Sequence, residues 1–266
     1  MLNRIYHRYF LLLILFIPIF LSEKTSGQTL QEPLITDRPD QAESAETILP
    51  GFFQVETGFL FNKNTTNTNF EIKSYDYATT LLRVGLAKDV ELRIESSLLS
   101  QEFKSLNNKS TTTGISGLNV GAKIRLVKNS NSIPNISAIF NLKLPVGEVT
   151  FRPKNAEPEF VLIVSKDLSD IVTYSANIAT ERNSEEDIFN FFYSLSFGIS
   201  LSDKFGTFME YYGSSSSFAS AANKFDTGLT YLIKDNFQLD ISGGLDFKTG
   251  TSDWFASTGI SFRLPK

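Results

Sequence analysis

The chain has 266 residues, with 25 basic and 29 acidic side chains, a net charge of −4, no cysteine and a single histidine, His7. Disulfides, thiolate metal sites and cysteine nucleophiles are therefore excluded. With His7 so close to the N-terminus, a Ser-His-Asp triad or an ordinary zinc site in the remainder is excluded too. The acidic balance argues against a nucleic-acid partner, which calls for a basic face.

The first element is "MLNRIYHRYFLLLILFIPIFLSEKTSGQ". Arg4 and Arg8 precede an apolar run from Phe10 to Leu21, and small residues Ser26 and Gly27 follow. That order is the plan of a secretory signal peptide, and the run is short for a spanning helix, which needs about 20 apolar residues. Residues 1–27 are expected to be cleaved near Gly27–Gln28. Their loss removes Arg4, Arg8, Lys24 and Glu23, which leaves 22 basic and 28 acidic residues and a net charge of −6.

Residues 28–50 come next and contain "TDRPDQAESAET", a knot of charge around Pro39. Asp37, Arg38 and Asp40 admit two readings. They are a ligand or gating cluster folded into the protein as a small plug, or Pro39 fixes an extended lead-in while Arg38 pins it to a carboxylate on the barrel rim or inner wall. Pro50–Gly51 then turns the chain into the first strand.

From residue 51 to 266 one pattern repeats. "GFFQVETGFLFN" sets Phe53, Val55, Thr57, Phe59 and Phe61 against Gln54, Glu56, Gly58 and Asn62. "TLLRVGLAKDVELRIESSLL" sets Leu82, Val84 and Leu86 against Arg83, turns, and then sets Val90, Leu92, Ile94 and Leu98 against Glu91, Arg93 and Glu95. The alternation continues in "GLNVGAKIRL", with Lys123 and Arg125 on the polar side, and in "ISAIFNLKLP", with Lys143 there. It returns in "IFNFFYSLSFGISL", in "KFDTGLTYLI" with Asp226, in "NFQLDISGGL" with Asp240, and in "DWFASTGISFRL". "FVLIVSK", "VTYSANIAT" and "FGTFMEYYG", the last carrying Glu210, are less regular. Period two over about ten residues is the mark of a half-buried strand, and no stretch has helical periodicity, so the chain reads as all-β with about twelve strands long enough to cross a bilayer.

The connections alternate in length. "AKD", "DLSD", "SDK" and "KDN" are short, whereas "NKNTTNTNFEIKS", "SQEFKSLNNKSTTTGIS" and "VGEVTFRPKNAEPE" read as long polar loops. A soluble sandwich would also alternate. Mid-strand charges on a common side, 24 Phe and nine Tyr crowding the other side and its ends, and alternating loop lengths favour a transmembrane antiparallel up-and-down barrel with short periplasmic turns and longer outer loops. The expected location is the outer membrane of a Gram-negative bacterium. The expected partners are the lipid bilayer, the barrel-assembly machinery and a small-molecule solute.

"ITDRPDQAESAETILPGFFQVETGF", "LLRVGLAKDVELRI", "GLNVGAKIRL", "FGTFMEYYG" and the closing "DWFASTGISFRL" together resemble the MetA-pathway phenol-degradation family over about residues 34 to 265. Members are outer-membrane β-barrel proteins labelled as transporters. The resemblance implies passage of small molecules, aromatic or hydrophobic ones among them, across the outer membrane. Many outer-membrane barrels end on an aromatic residue read by the assembly machinery; this chain ends "FRLPK".

The polar-side charges Glu56, Arg83, Glu91, Arg93, Glu95, Lys123, Arg125, Lys143, Glu210, Asp226 and Asp240 are the candidate lumen residues. In a narrow bore they would pair as internal struts; in an open one they would set ion selectivity. A glycosidase-like carboxylate pair needs an acid of raised pKa, and Arg93 between Glu91 and Glu95 works against it. The reading is therefore a passive channel or facilitator, not an enzyme, with no cofactor and no metal. A closed structural or binding barrel is the alternative.

Overall fold

The computed structural model describes residues 34–67, 70–128, 133–216, 221–247 and 253–265. The signal peptide expected at 1–27 lies outside them, as do residues 28–33 of the segment that follows it. Fourteen strand segments form one antiparallel sheet. They are β1 (Phe53–Asn67), β2 (Phe70–Ala87), β3 (Val90–Ser96), β4 (Leu98–Ser105), β5 (Asn108–Ile115), β6 (Leu118–Val127) and β7 (Asn135–Leu144), then β8 (Glu157–Asp167), β9 (Val172–Asn183), β10 (Ile188–Ser200), β11 (Phe205–Ser216), β12 (Ala222–Lys234), β13 (Phe237–Asp246) and β14 (Trp254–Leu264).

Most consecutive strands pair, and β1 pairs β14 from Phe53↔Leu264 to Lys63↔Trp254, which closes the sheet into a barrel. β2 pairs β3 near one end and β4 near the other. Likewise β6 pairs β3 while β5 pairs β4. Thus β3–β4 and β5–β6 are each one wall strand, interrupted at Ser97 and at Ser116–Gly117, and the wall has twelve strands. The two breaks face each other: the Ser116 backbone N donates to Ser97 O at 2.9 Å, and Ser97 N donates to Ser116 Oγ at 2.9 Å.

The alternation resolves into an outer and an inner face. Phe140, Phe160, Ile178, Phe191, Met209, Leu229, Ile241 and Ile260 are exposed on the outside, an apolar belt of the kind that faces lipid. Aromatic pairs sit on the same face, such as Phe61 with Tyr75 and Trp254, and Phe205 stacked on Tyr231. Inside, Gln54, Glu56, Arg83, Glu91, Lys123, Glu210 and Asp226 have no exposed surface at all.

Two of the expected long loops are strand. "SQEFKSLNNKSTTTGIS" forms most of β4 and β5, a hairpin in register from Leu98↔Ile115 to Ser105↔Asn108. "NKNTTNTNFEIKS" carries β1 and β2 onward to Asn67 and from Phe70. Their Thr- and Ser-rich runs look like loop by polarity, but β-branched Thr suits a pleated ribbon, and a ribbon with water on both faces needs no apolar alternation.

Residues 34–50 belong to no strand and lie inside the barrel, with Leu34, Ala42, Ala45 and Ile48 buried. The lead-in expected to be extended instead bends at Asp37 and again over residues 39–42, and the Arg38–Pro39 peptide is cis. Gly51, at φ +83°, makes the turn into β1, a left-handed conformation that glycine adopts without steric cost. Phe52 N closes that turn on Leu49 O at 3.1 Å.

Candidate functional site

The lumen wall nearest the short turns is built from β1, β2, β3 and β6. Its register is unfavourable on its own, because Arg83 of β2 stands directly opposite Arg93 of β3. Like charges so placed repel. Glu91 of β3, opposite Lys123 of β6, offsets part of this: Arg83 donates through Nε and Nη2 to the two Glu91 oxygens at 2.9 and 3.0 Å. Arg83 Nη1 also donates to Glu56 Oε1 at 3.1 Å.

Residues 34–50 supply the remaining anions. The Asp37 carboxylate sits among three cations: Arg93 Nη1 at 2.5 Å, Lys123 Nζ at 2.9 Å and Arg83 Nη1 at 3.1 Å. Glu43 receives both hydrogen bonds of a 2.8 Å fork from Arg93 Nη2. Glu46 pairs with Arg125, which Asp89 holds from the other side. Burial pushes the Asp37 carboxyl up, but Arg83, Lys123 and Arg93 outweigh that and hold it well below the usual carboxylate range.

The backbone of the segment is held by the same wall. Asp37 N and Arg38 N donate to Glu56 Oε2 at 2.9 and 3.1 Å, and Ile48 N donates to Glu91 Oε2 at 2.8 Å. Ser44 N closes back on Asp37 Oδ1 at 2.9 Å, which is why the segment bends around that carboxylate. Arg83 Nη2 and Lys123 Nζ donate to the carbonyls of Glu46 and Ser44, each at 2.9 Å. An apolar patch completes the grip: Ala45 packs on Ile139, Val161 and Ile163.

On the far side Arg38 reaches Asp240 of β13 at 3.1 Å and Ser257 at 3.0 Å. Its guanidinium lies over Gly58 and Gly259, register partners on β1 and β14. A Cβ at either would stand 2.4 to 2.5 Å from guanidinium atoms. The same logic applies at Gly85, where a Cβ would lie 2.0 Å from Leu49 O.

The candidate residues thus divide. Glu56, Arg83, Glu91, Arg93 and Lys123 form one ion-pair ladder with Asp37, and Arg125 pairs separately with Glu46 and Asp89. Asp240 binds Arg38, and Glu210 and Asp226 meet the segment at its turning point near Asp40. Glu95 and Lys143 stand outside the ladder, beside a cavity of about 300 Å³ that Glu157, Glu159 and Glu181 also line. A second cavity of about 410 Å³ lies between Glu43, Glu159 and Glu181 on one side and Phe192, Tyr193 and Tyr212 on another. At Glu56, Arg83, Glu91, Arg93, Lys123, Arg125 and Asp240 the charges pair with residues 34–50 or with adjacent strands. Glu43, Glu46, Asp89 and the lumen apolar patch were missing from the candidates. Acids at 43 and 46 stood in the charged knot, and the weak alternation of "FVLIVSK" was the trace of Val161 and Ile163 facing inward.

Solved structures share this architecture at 8–11% identity. The COG4313 outer membrane channel from Pseudomonas putida F1 matches with a TM-score of 0.62 at 9% identity, over 83% of this chain and 98% of that one. A KdgM porin in complex with disordered oligogalacturonate matches at 0.52 and 11%, over 79% and 98%. The translocator domain of the autotransporter NalP from Neisseria meningitidis matches at 0.56 and 8%, over 79% and 88%. At such identity the likeness speaks for the fold alone: a closed barrel of the kind seen in outer-membrane channels and porins. No curated protein matches the sequence. The family model described as "Putative MetA-pathway of phenol degradation" matches residues 36–264, from the charged knot to the last strand, and the chain belongs to that family.

Proposed function

We propose that the protein is a passive outer-membrane channel for a small solute, that residues 28–50 act as a plug entered from the periplasmic end, and that the protein performs no catalysis. One observation carries the reading. The lumen wall carries Arg83 opposite Arg93 beside Lys123, and Asp37, from outside the barrel strands, is placed among all three. That segment belongs to no barrel strand, so it occupies the lumen without being part of the wall, which supports a plug. The lumen beyond the segment holds polar and aromatic cavities, and the family's description makes an aromatic solute the first class to test. In this reading Glu95 and Lys143, which line a cavity rather than the ladder, set charge preference.

The buried ion pairs equally favour a second reading, a permanently closed barrel. Conductance of the refolded mature protein in a planar bilayer, with and without residues 28–50, separates the two. Steps in either form support the channel, and steps that appear or grow on truncation make the segment a plug. Silence from both, with heat-modifiable gel mobility showing folded barrels, sinks the channel reading.

A further inference from the structure

Asp40, Glu210 and Asp226 meet where the segment turns, and no cation is paired with any of them among the described residues. Glu210 of β11 and Asp226 of β12 are register partners, both fully buried. Glu210 Oε2 accepts from Gln41 N at 2.7 Å, and Asp40 Oδ2 accepts from Ser196 Oγ of β10 at 3.0 Å. Glu210 Oε1 and both Asp226 oxygens have no hydrogen-bond partner. A buried carboxylate with neither donor nor cation is costly, and two side by side repel when both are ionised; a proton between them removes the repulsion and supplies the missing hydrogen bond.

The neighbours do not offer another solution. On β11 and β12 the next lumen residues outward are Tyr212 and Lys224, which line the adjoining cavities without an ion pair to this group. On β13, Asp240 is taken by Arg38. Within the segment, Asp37 is committed to the ladder and adds only negative charge. Burial and the Glu210 carboxylate push the Asp40 carboxyl well above the usual carboxylate range.

We propose that Asp40, Glu210 and Asp226 form a proton-operated latch that holds the turning point of residues 34–50 on β11–β12 when protonated and expels it when ionised. The docked state binds more protons than the released one, so docking at this end is favoured at low pH and lost as pH rises. Asp37 in the ladder has the opposite sense: it is docked as a carboxylate, so its hold is kept as pH rises and weakens only in acid, whereas burial pushes the neighbouring Glu43 carboxyl up to about 8. Alkaline pH therefore frees residues 40–42 while residues near Ile48 stay in place.

The latch rests on the plug reading, yet its test needs no conductance. The natural chain has no cysteine, so Ala42→Cys and, separately, Ile48→Cys each place a single thiol in the buried segment. Maleimide labelling of refolded barrels is measured at about pH 6 and pH 9, alone and with Glu210→Gln plus Asp226→Asn. The ratio between the two backgrounds at each pH cancels the thiol's own chemistry. The expected result is that Cys at 42 labels at least about tenfold faster at pH 9 in the natural background than in the Gln/Asn background, with no such difference at pH 6 and none at 48. Equal rates at pH 9 in the two backgrounds, or a matching rise at 48, overturn the latch. A latch without conductance in the bilayer experiment would leave this inference standing and remove the channel.

Discussion

The two sides of the lumen hold the same segment by opposite electrostatics. Against β2, β3 and β6, three acids of the segment meet four cations of the wall, and Asp37, Glu43 and Glu46 each have a basic partner. Against β11 and β12, one acid of the segment meets two acids of the wall, and no cation among the described residues is paired with them. Buried pairs of the first kind cost little once made but much to break from one side. A cluster of the second kind is held only while it carries protons. The segment therefore has a fixed end and a conditional end, and the comparison can be tested by disabling each.

The largest effect is expected on the fixed side. Arg83→Ala leaves Glu56, Glu91 and Asp37 short of a buried partner, and should cost about 3–5 kcal/mol; a fall in the urea midpoint of the refolded barrel measures it. An unchanged midpoint would mean that water already reaches the ladder. The apolar patch comes next. Ile163→Ala removes a side chain with no exposed surface that packs beside Ala45, with an expected loss of about 2–4 kcal/mol by the same titration and faster proteolysis within residues 34–50. A stable, protease-resistant variant would show that the ladder alone holds the segment.

Smaller is the effect of Gly259→Ala, whose Cβ would stand 2.5 Å from the Arg38 guanidinium. Displacing that side chain should cost about 1–3 kcal/mol, and paired with Arg38→Ala the loss should shrink. If the double variant loses the sum of both, the glycine is not there to accommodate Arg38. The smallest change in stability is expected on the conditional side. Asp226→Asn should change stability by less than about 1 kcal/mol at pH 6, because the amide can donate to Glu210 in place of the shared proton. The same variant should flatten the alkaline fall in stability. Since docking of the Asp40 end takes up protons, the natural protein loses that contribution as pH rises, and a flat natural profile from pH 6 to pH 9 would count against the conditional end.

Much of this was legible in the chain. Alternation such as Gln54–Glu56 against Val55–Thr57 names the inner face, because side chains of a strand must point to opposite sides. It holds from β1 to β14 wherever the lumen face is polar and the outside meets lipid. It blurs at β8, where Val161 and Ile163 point inward to meet Ala45, since an apolar residue on both faces erases the period. It also failed at the β4–β5 hairpin, where the largely exposed Ser- and Thr-rich β5 has no apolar face and so no alternation to show. Each charged strand residue could be assigned to the lumen, but its partner could not. Arg93 and Asp37 are far apart in sequence, and nothing local says that one reaches the other.

The sequence by itself determined the class of fold, the polar lumen, the strand count and the lack of cysteine, all properties of composition and of a two-residue period. The tertiary structure alone decided that the charged knot around Pro39 is inside the barrel, that Asp37 completes a wall where Arg83 faces Arg93, and that Glu210 and Asp226 pair with no cation among the described residues. Those facts depend on closure, which brings β1 beside β14 and sets the register of every strand between them. Electrostatics over a few ångströms follows from that register and not from order along the chain.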